Sequence, residues 1–325
     1  MKPYVFGVDV GGTAIKLGFF GPEGKLLKKW KIPTRIENSG SHILPDIVSE
    51  MEKTLAAANV DWADVEGVGI GIPSPVTEDG IVLRCINLDW GVFSIPERLR
   101  KLQPAIQRIR VANDVNAATL GEMKHGGGKG RNSIVMVTLG TGIGGGVIVN
   151  GKMVFGRSGA AGEIGHICVN PDETERCRCG HRGCLEQYCS ATGLLKMTRR
   201  RMAQNPEEET VLRDMTDFTA KDICDAARDG DYVANDMLKR LGRRLGIALS
   251  AVAGTVDPDV ILIGGGLSSA GDILFDKIIT YYRTYAFHAY QDTEFALAKL
   301  GNDAGIYGCM EMVYLAAMEE EQEND

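Results

Sequence analysis

The chain has 325 residues, with 36 Lys and Arg set against 43 Asp and Glu, for a formal charge of −7. An acidic balance of this kind excludes nucleic acid as the main partner, which needs a basic footprint, and favours a small ligand. The length suits two well-packed lobes, and Gly7, Asp9 and the glycines after them break the first apolar run too early for a signal peptide.

In chain order, Y-V-F-G-V-D-V from Tyr4 alternates apolar and polar, turns at G-G-T, and resumes as A-I-K-L-G-F-F before the turn G-P-E-G. A third strand, Lys25 to Ile32, completes a meander. A helix is expected over His42 to Ala58, with Ile43, Ile47, Val48, Met51 and Leu55 at helical spacing and Pro45 near its first turn, where proline is tolerated. Val68, Ile70 and Ile72 alternate as a strand ending in Pro73-Ser74-Pro75. Ile109 to Val111 forms another, running into Asn113-Asp114 and a helix through Met123.

The opening plan then recurs as S-I-V-M-V-T-L, the turn G-T-G-I-G-G, G-V-I-V, and a hairpin at Asn150-Gly151 into K-M-V-F. Asn132 to Gly151 carries no charge, yet its glycines divide it into two short strands, so it is not a membrane span. Arg199 to Asp231 reads as a solvated helical insertion, because Glu207 to Glu209 lie close to the Arg199-Arg200-Arg201 run. Val233 to Val252 is a long amphipathic helix leading through Asp257-Pro258 to the strand Val260 to Ile263 and the triplet Gly264-Gly265-Gly266. The acidic tail from Glu319 to Asp325 is expected to fray. Two meanders, each followed by alternating helices and strands, imply an α/β sandwich.

The densest chemistry lies between Glu163 and Glu186. Cys177, Cys179 and Cys184 follow a C-x-C-x4-C spacing with His166 upstream, the donor set of a structural tetrahedral Zn2+. Gly180 and Gly183 supply the turns a chelating loop needs. Glu163 and Glu186 flank the cluster, where a metal would fix two acceptor carboxylates suited to a polyol. Thiols kept for a metal, with no signal peptide, place the chain in a reducing cytosol. The other cysteines, Cys85, Cys168, Cys189, Cys224 and Cys309, read as core or incidental.

Asp9-Val-Gly11-Gly12-Thr13 and Gly140-Thr141-Gly142 are turns whose amides can approach an anion. Their equivalent places in two similar halves suggest a pair of jaws on one polyphosphate, to which Thr13 and Thr141 add hydroxyls. Asp9, with no obvious cationic neighbour, is a candidate to hold hydrated Mg2+. Lys16 is a candidate phosphate contact. Neither loop is a Walker motif, and the second feeds a strand where a dinucleotide site needs a helix. Asp114, at the end of an apolar strand, could cap the following helix or accept the proton of an attacking hydroxyl. With two phosphate turns nearby we favour the base, for which an ordinary carboxylate pKa suffices. Asn113 beside it could orient the same substrate.

These residues resemble the ROK family of sugar kinases and repressors, and within it the ATP-dependent glucokinases. The resemblance runs nearly end to end through D-V-G-G-T-A-I-K, N-L-D-W, A-N-D-V-N-A-A, V-T-L-G-T-G-I-G-G-G-V, G-E-I-G-H, C-x-C-G-x-x-G-C-L-E, I-L-I-G-G-G and L-G-N-D-A-G. It implies a two-lobed, actin-like (ribonuclease H-like) ATPase fold with a structural zinc loop. One lobe would span residues 1–117, with a C-terminal helix over 303–325 packed back on it, and the other 118–302. The implied activity is phosphorylation of the glucose 6-hydroxyl by Mg-ATP, with Asp114 as general base.

By the same resemblance Asn113, Asp114, Glu163, His166 and Glu186 would bind the pyranose, and His166 would serve zinc through one ring nitrogen and sugar through the other. Gly11, Gly12, Thr13, Gly140, Thr141 and Gly142 would grip phosphates, and Gly264, Gly265 and Gly266 would lie against adenosine. A homodimer with no membrane or nucleic-acid partner is implied. The family turn G-x-P-G-P reads G-I-P-S-P here, with Ser74 in place of glycine, and Asn87 could reach the sugar. Other hexoses or N-acetylhexosamines are the alternative substrates. The repressor branch carries a DNA-binding domain ahead of the first strand, for which the residues before Asp9 leave no room.

Overall fold

The computed structural model describes residues 1–324. The first sheet is built from β1 (Tyr4–Val10), β2 (Ala14–Phe20), β3 (Leu26–Pro33), β4 (Val65–Ile72) and, beyond the short ribbon β5 (Ile81–Val82) and β6 (Phe93–Ser94), β7 (Arg108–Asn113). The second contains β8 (Ile134–Leu139), β9 (Ile143–Val149), β10 (Lys152–Met153), β11 (Val260–Gly264) and β12 (Glu294–Leu297). Their orders are β3-β2-β1-β4-β7 and β10-β9-β8-β11-β12, both five-stranded. In each, three strands run as an antiparallel meander and two more add in parallel. The two meanders expected from sequence are therefore the matching halves of two sheets of one plan.

Apolar alternation explains which faces close. Phe6, Val8, Ile15, Leu17, Val68 and Ile70 pack with Ile43, Ile47 and Met51 of the helix Ile43–Ala58 in one core. In the second half, Val135, Val137 and Ile261 meet Leu238, Leu241, Leu245 and Leu249 of the helix Tyr232–Val256. The turn between β9 and β10 has Asn150 at φ 51° and Gly151 at φ 77°, the left-handed pair that suits a tight hairpin.

Between the sheets lie the helix Asp114–His125 and the C-terminal helix Ala304–Asn324. Ala117, Leu120 and Met123 of the first, with Cys309 and Met312 of the second, pack against Ile134, Met136, Val260 and Leu262 of the second sheet. Ile306, Met310 and Val313 lie on Val5 and Phe20 of the first sheet. Close approach depends on missing side chains: a Cβ at Gly308 would strike the Ala117 carbonyl, and one at Gly69 the Cys309 carbonyl. The divide drawn at 117/118 passes through the helix Asp114–His125.

Several expectations need correction. The acidic tail does not fray: it continues the C-terminal helix through Asn324, and Asp325 lies outside the described residues. Glu321 meets the N-terminal ammonium at 3.0 Å, and Glu320 pairs with Arg108. Nor is the 199–231 segment wholly solvated. Arg201 is buried between Glu208 and Asp236, while Leu212, Phe218 and Ile223 enter the second core. The edge strand β12 and the helix Asp272–Tyr285 were not anticipated, since E-F-A-L is too short to show a period. Among the described residues no helix is long and apolar enough to cross a membrane.

Candidate active site

β7 delivers Asn113 and Asp114 to the junction of the two sheets. The helix behind them is capped by Asn113, whose Oδ1 accepts from the amides of Val115 at 2.9 Å and Asn116 at 3.2 Å. Asn113, not Asp114, thus caps the helix, a role the sequence reading offered only to Asp114. Its amide nitrogen donates to the Ser74 carbonyl at 3.4 Å. Ser74, the family departure, is buried, and its hydroxyl donates to the Arg84 carbonyl at 2.8 Å. The serine therefore pins the turn that supports Asn113.

Asp114 Oδ1 accepts the same Val115 amide at 2.9 Å, and its carboxyl is not one of ordinary acidity. Burial pushes its carboxyl up to about 7, and the negative charges of Asp9 and then Glu163 add to the rise. A hydrogen bond from the Val115 amide opposes it. A carboxylate titrating near neutrality is matched to proton abstraction at neutral pH.

Antiparallel register sets Asp9 directly opposite Lys16, and Lys16 Nζ lies 3.0 Å from Asp9 Oδ2. Asp9 therefore has a cationic neighbour after all, and Lys16 neutralises part of the charge a divalent cation would otherwise meet. The Gly11-Gly12-Thr13 turn closes through the Gly11 amide on the Ala14 carbonyl at 3.0 Å. It is braced by the Thr34 hydroxyl on the Gly11 carbonyl at 2.6 Å.

The opposite turn closes in the same way, with the Gly140 amide on the Gly142 carbonyl at 2.9 Å. Its other glycines have a different use: Gly144 and Gly146 lie in β9 against Val115 and Thr119, letting the helix Asp114–His125 sit on that strand. Gly264 ends β11, and Gly265 (φ 82°) has room for no side chain, since a Cβ would come within 2.6 Å of the Leu139 backbone. The Gly264–Gly266 triplet consequently adjoins the Gly140 turn.

The segment Glu163–His166 is held on β9, where a Cβ at Gly165 would meet the Ile143 carbonyl. The donor atoms of His166, Cys177, Cys179 and Cys184 all lie within 4.8 Å of one another. Cys179 and Cys184 sulfurs are 3.6 Å apart, and Cys177 Sγ is 3.9 Å from His166 Nδ1. Ligands about 2.3 Å from a tetrahedral ion are separated by roughly 3.8 Å, so the cluster fits one metal ion. His166 turns its other nitrogen, Nε2, toward Glu163 Oε2 at 3.9 Å.

Support for the loop was not read from the sequence. Tyr188 donates to Glu173 at 2.6 Å and accepts from Asn170 at 2.8 Å, Arg200 pairs with Glu173 at 3.3 Å, and Gln187 takes the Cys184 amide at 3.1 Å. The Glu-Gln-Tyr run after the last cysteine was the available signal. Of the remaining thiols Cys85, Cys189, Cys224 and Cys309 are buried and Cys168 is exposed; all eight are free.

Two mixed sheets of one plan, with Asp9 and Glu163 both acting on Asp114 and a Cys/His cluster in the second half, have the α/β architecture of ROK sugar kinases. The chain belongs to the ROK family, whose sequence model matches residues 5–315. It is 37% identical over 310 residues to a glucokinase of Halalkalibacterium halodurans, covering 93% of this chain and 92% of that one. A glucokinase of Streptomyces coelicolor is 36% identical over 316 residues, with coverage of 94% and 96%. The crystal structure of a ROK family glucokinase from Streptomyces griseus in complex with glucose and AMPPNP aligns with a TM-score of 0.73 at 34% identity, covering 95% of this chain and 98% of that one.

Proposed function

We propose that the chain transfers the γ-phosphoryl group of ATP to the 6-hydroxyl of glucose, releasing ADP and glucose 6-phosphate. The observation that carries this reading is Asp114, a carboxyl pushed up to about 7 by burial and by the charges of Asp9, just before the first glycine turn, and Glu163, beside the Cys/His cluster. Glucose and AMPPNP in the Streptomyces griseus relative support the pairing of substrates, and the repeated sheet plan supports an actin-like closure of two lobes.

In this reading Asn113, Glu163, His166 and Glu186 hold the pyranose hydroxyls so that its 6-hydroxyl faces Asp114. The carboxylate takes the hydroxyl proton as the sugar oxygen bonds to the γ-phosphorus and the bond to the β-phosphate oxygen breaks. Proton removal is late in so loose a transition state, so positioning and electrostatics carry most of the acceleration. Amides of the Gly11–Thr13 and Gly140–Gly142 turns receive the phosphates, with Lys16 in reach of them, and Gly264 to Gly266 border the adenosine. Mg2+, when bound near Asp9, supplies neutralisation of the phosphate charge.

Zinc is our reading of the ion for His166, Cys177, Cys179 and Cys184, because three thiolates and an imidazole suit it. Holding the ion through Nδ1 would fix the His166 tautomer and ring orientation and would leave Nε2 for sugar. Eight free thiols suit a reducing cytosol. We also propose a homodimer, for which the exposed Val211 and Tyr232 offer apolar surface; sedimentation velocity tests it.

The deciding experiment is a coupled ADP-release assay with Mg-ATP across glucose, mannose, fructose, allose, N-acetylglucosamine and N-acetylmannosamine. Glucose should lead in kcat/KM. An N-acetyl sugar in first place would keep the mechanism and change the substrate, and no turnover on any sugar would overturn the kinase reading.

A further inference from the structure

Glu186 opens the short helix Glu186–Cys189, two residues after the last candidate metal ligand, Cys184. Its two carboxylate oxygens face different ways. Oε1 lies 3.9 Å from Cys177 Sγ, on the metal-loop side. Oε2 accepts the backbone amide of Ile143 at 2.9 Å, at the foot of the Gly140–Gly142 turn. The fit is close enough that a Cβ at Gly142 would collide with Oε2.

A second tie comes from the same block of chain. The Ala191 amide donates to the Gly140 carbonyl at 2.8 Å, and Ser190 joins the two helices by donating to the Glu186 carbonyl at 2.8 Å while capping Gly193 at 2.9 Å. Both ends of the turn are therefore fastened to Glu186–Ala191. That segment is fastened in turn to the metal loop through the Gln187 amide on the Cys184 carbonyl at 3.0 Å.

We infer that Glu186 is a positioning residue for the nucleotide: through the Ile143 amide it sets the conformation of the Gly140–Gly142 turn and so couples the Cys/His loop to ATP binding. The inference rests on the proposed use of that turn for phosphate. A carboxylate would repel a phosphate placed directly on it, so its action on nucleotide runs through the backbone it orders. Sugar binding at the metal loop and nucleotide binding at the turn are consequently linked, and any such linkage is reciprocal.

The test is calorimetric titration of AMPPNP with Mg2+ into the metal-loaded protein in the absence of sugar, comparing wild type with Glu186→Ala and Glu186→Gln. Glu186→Ala should weaken AMPPNP about 10-fold, the scale of one charge-assisted hydrogen bond. Glu186→Gln, whose carbonyl oxygen still accepts from Ile143, should hold nucleotide within about 2-fold of wild type while losing glucose affinity. Should Glu186→Ala not fold, Glu186→Asp keeps the charge but falls short of Ile143, and must show the same loss. Wild-type AMPPNP affinity in the Ala or Asp variant, with glucose turnover intact in the parent, overturns the positioning role alone. A parent that binds no AMPPNP overturns the phosphate reading of the turn and the inference with it.

Discussion

Asp9, on β1, acts on Asp114 at the start of the helix behind β7: after burial itself, the Asp9 charge is the largest influence holding the Asp114 carboxyl up near 7. Lys16, 3.0 Å from Asp9, faces only one partner of this like-charged pair. The pair makes the activity pH-dependent in the neutral range. For free enzyme and glucose, kcat/KM should rise with pH and level off above about 7 as Asp114 loses its proton. Glu163→Gln removes another charge that raises the Asp114 value, so the rising limb should move to lower pH. A limb that stays in place when the profile is repeated would refute the assignment.

Stability carries the opposite sign. The folded carboxyl of Asp114 titrates above its ordinary value of 3.8, so its contribution is fully present below that value and is lost as pH rises through about 7. Asp114→Asn should therefore be more stable than wild type at pH 8, with the gap narrowing toward pH 5, in urea unfolding of the ligand-free protein. In turnover the same variant should lose roughly 100- to 10,000-fold in kcat, about 3 to 5 kcal/mol of barrier, with glucose binding largely kept. Near-normal turnover would remove Asp114 from the base role.

Cys179→Ser tests whether metal and sugar share His166. Stoichiometric zinc by elemental analysis and glucose affinity by calorimetry should fall together, since Nδ1 faces the thiols and Nε2 faces Glu163. Loss of the metal with glucose bound as before would separate the two.

Glu122 is fully buried, and no cation answers it among the described residues. Its carboxylate instead accepts three backbone amides, Gly127 at 2.8 Å, Lys299 at 2.9 Å and Leu300 at 2.7 Å. It thereby clips the end of the helix Asp114–His125 to the approach of the C-terminal helix. Glu122→Ala deprives three backbone amides of their acceptor and should cost about 3 to 5 kcal/mol, read as a fall in the urea midpoint. A loss under ~1 kcal/mol would mean that water replaces the carboxylate.

Local signals carried much of this molecule. The meanders, the Asn150-Gly151 hairpin and the Cys/His cluster were legible because each depends on neighbours in sequence, such as alternation, a turn pair or a chelating spacing. Relationships across the fold were not. The raised carboxyl of Asp114 depends on burial and then on Asp9, effects of the folded surroundings with no sequence period. The pairing of Asp9 with Lys16 was in principle readable by counting outward from the Gly11–Thr13 turn. Arg201 looked solvated beside Glu207 to Glu209, but its other partner, Asp236, comes from a later helix. The cap was offered to Asp114 in sequence, and only the geometry of the helix start gives it to Asn113.

The glycine-lined seat of the C-terminal helix also bears on the order in which the molecule can be made. Cys309 donates to the Val8 carbonyl at 3.1 Å across 301 positions of chain, so one face of the earliest sheet stays uncovered until the helix that seals it has been synthesised. The first half of a nascent chain would then expose apolar strands throughout synthesis of the second. Such a chain would mature as one unit rather than sheet by sheet.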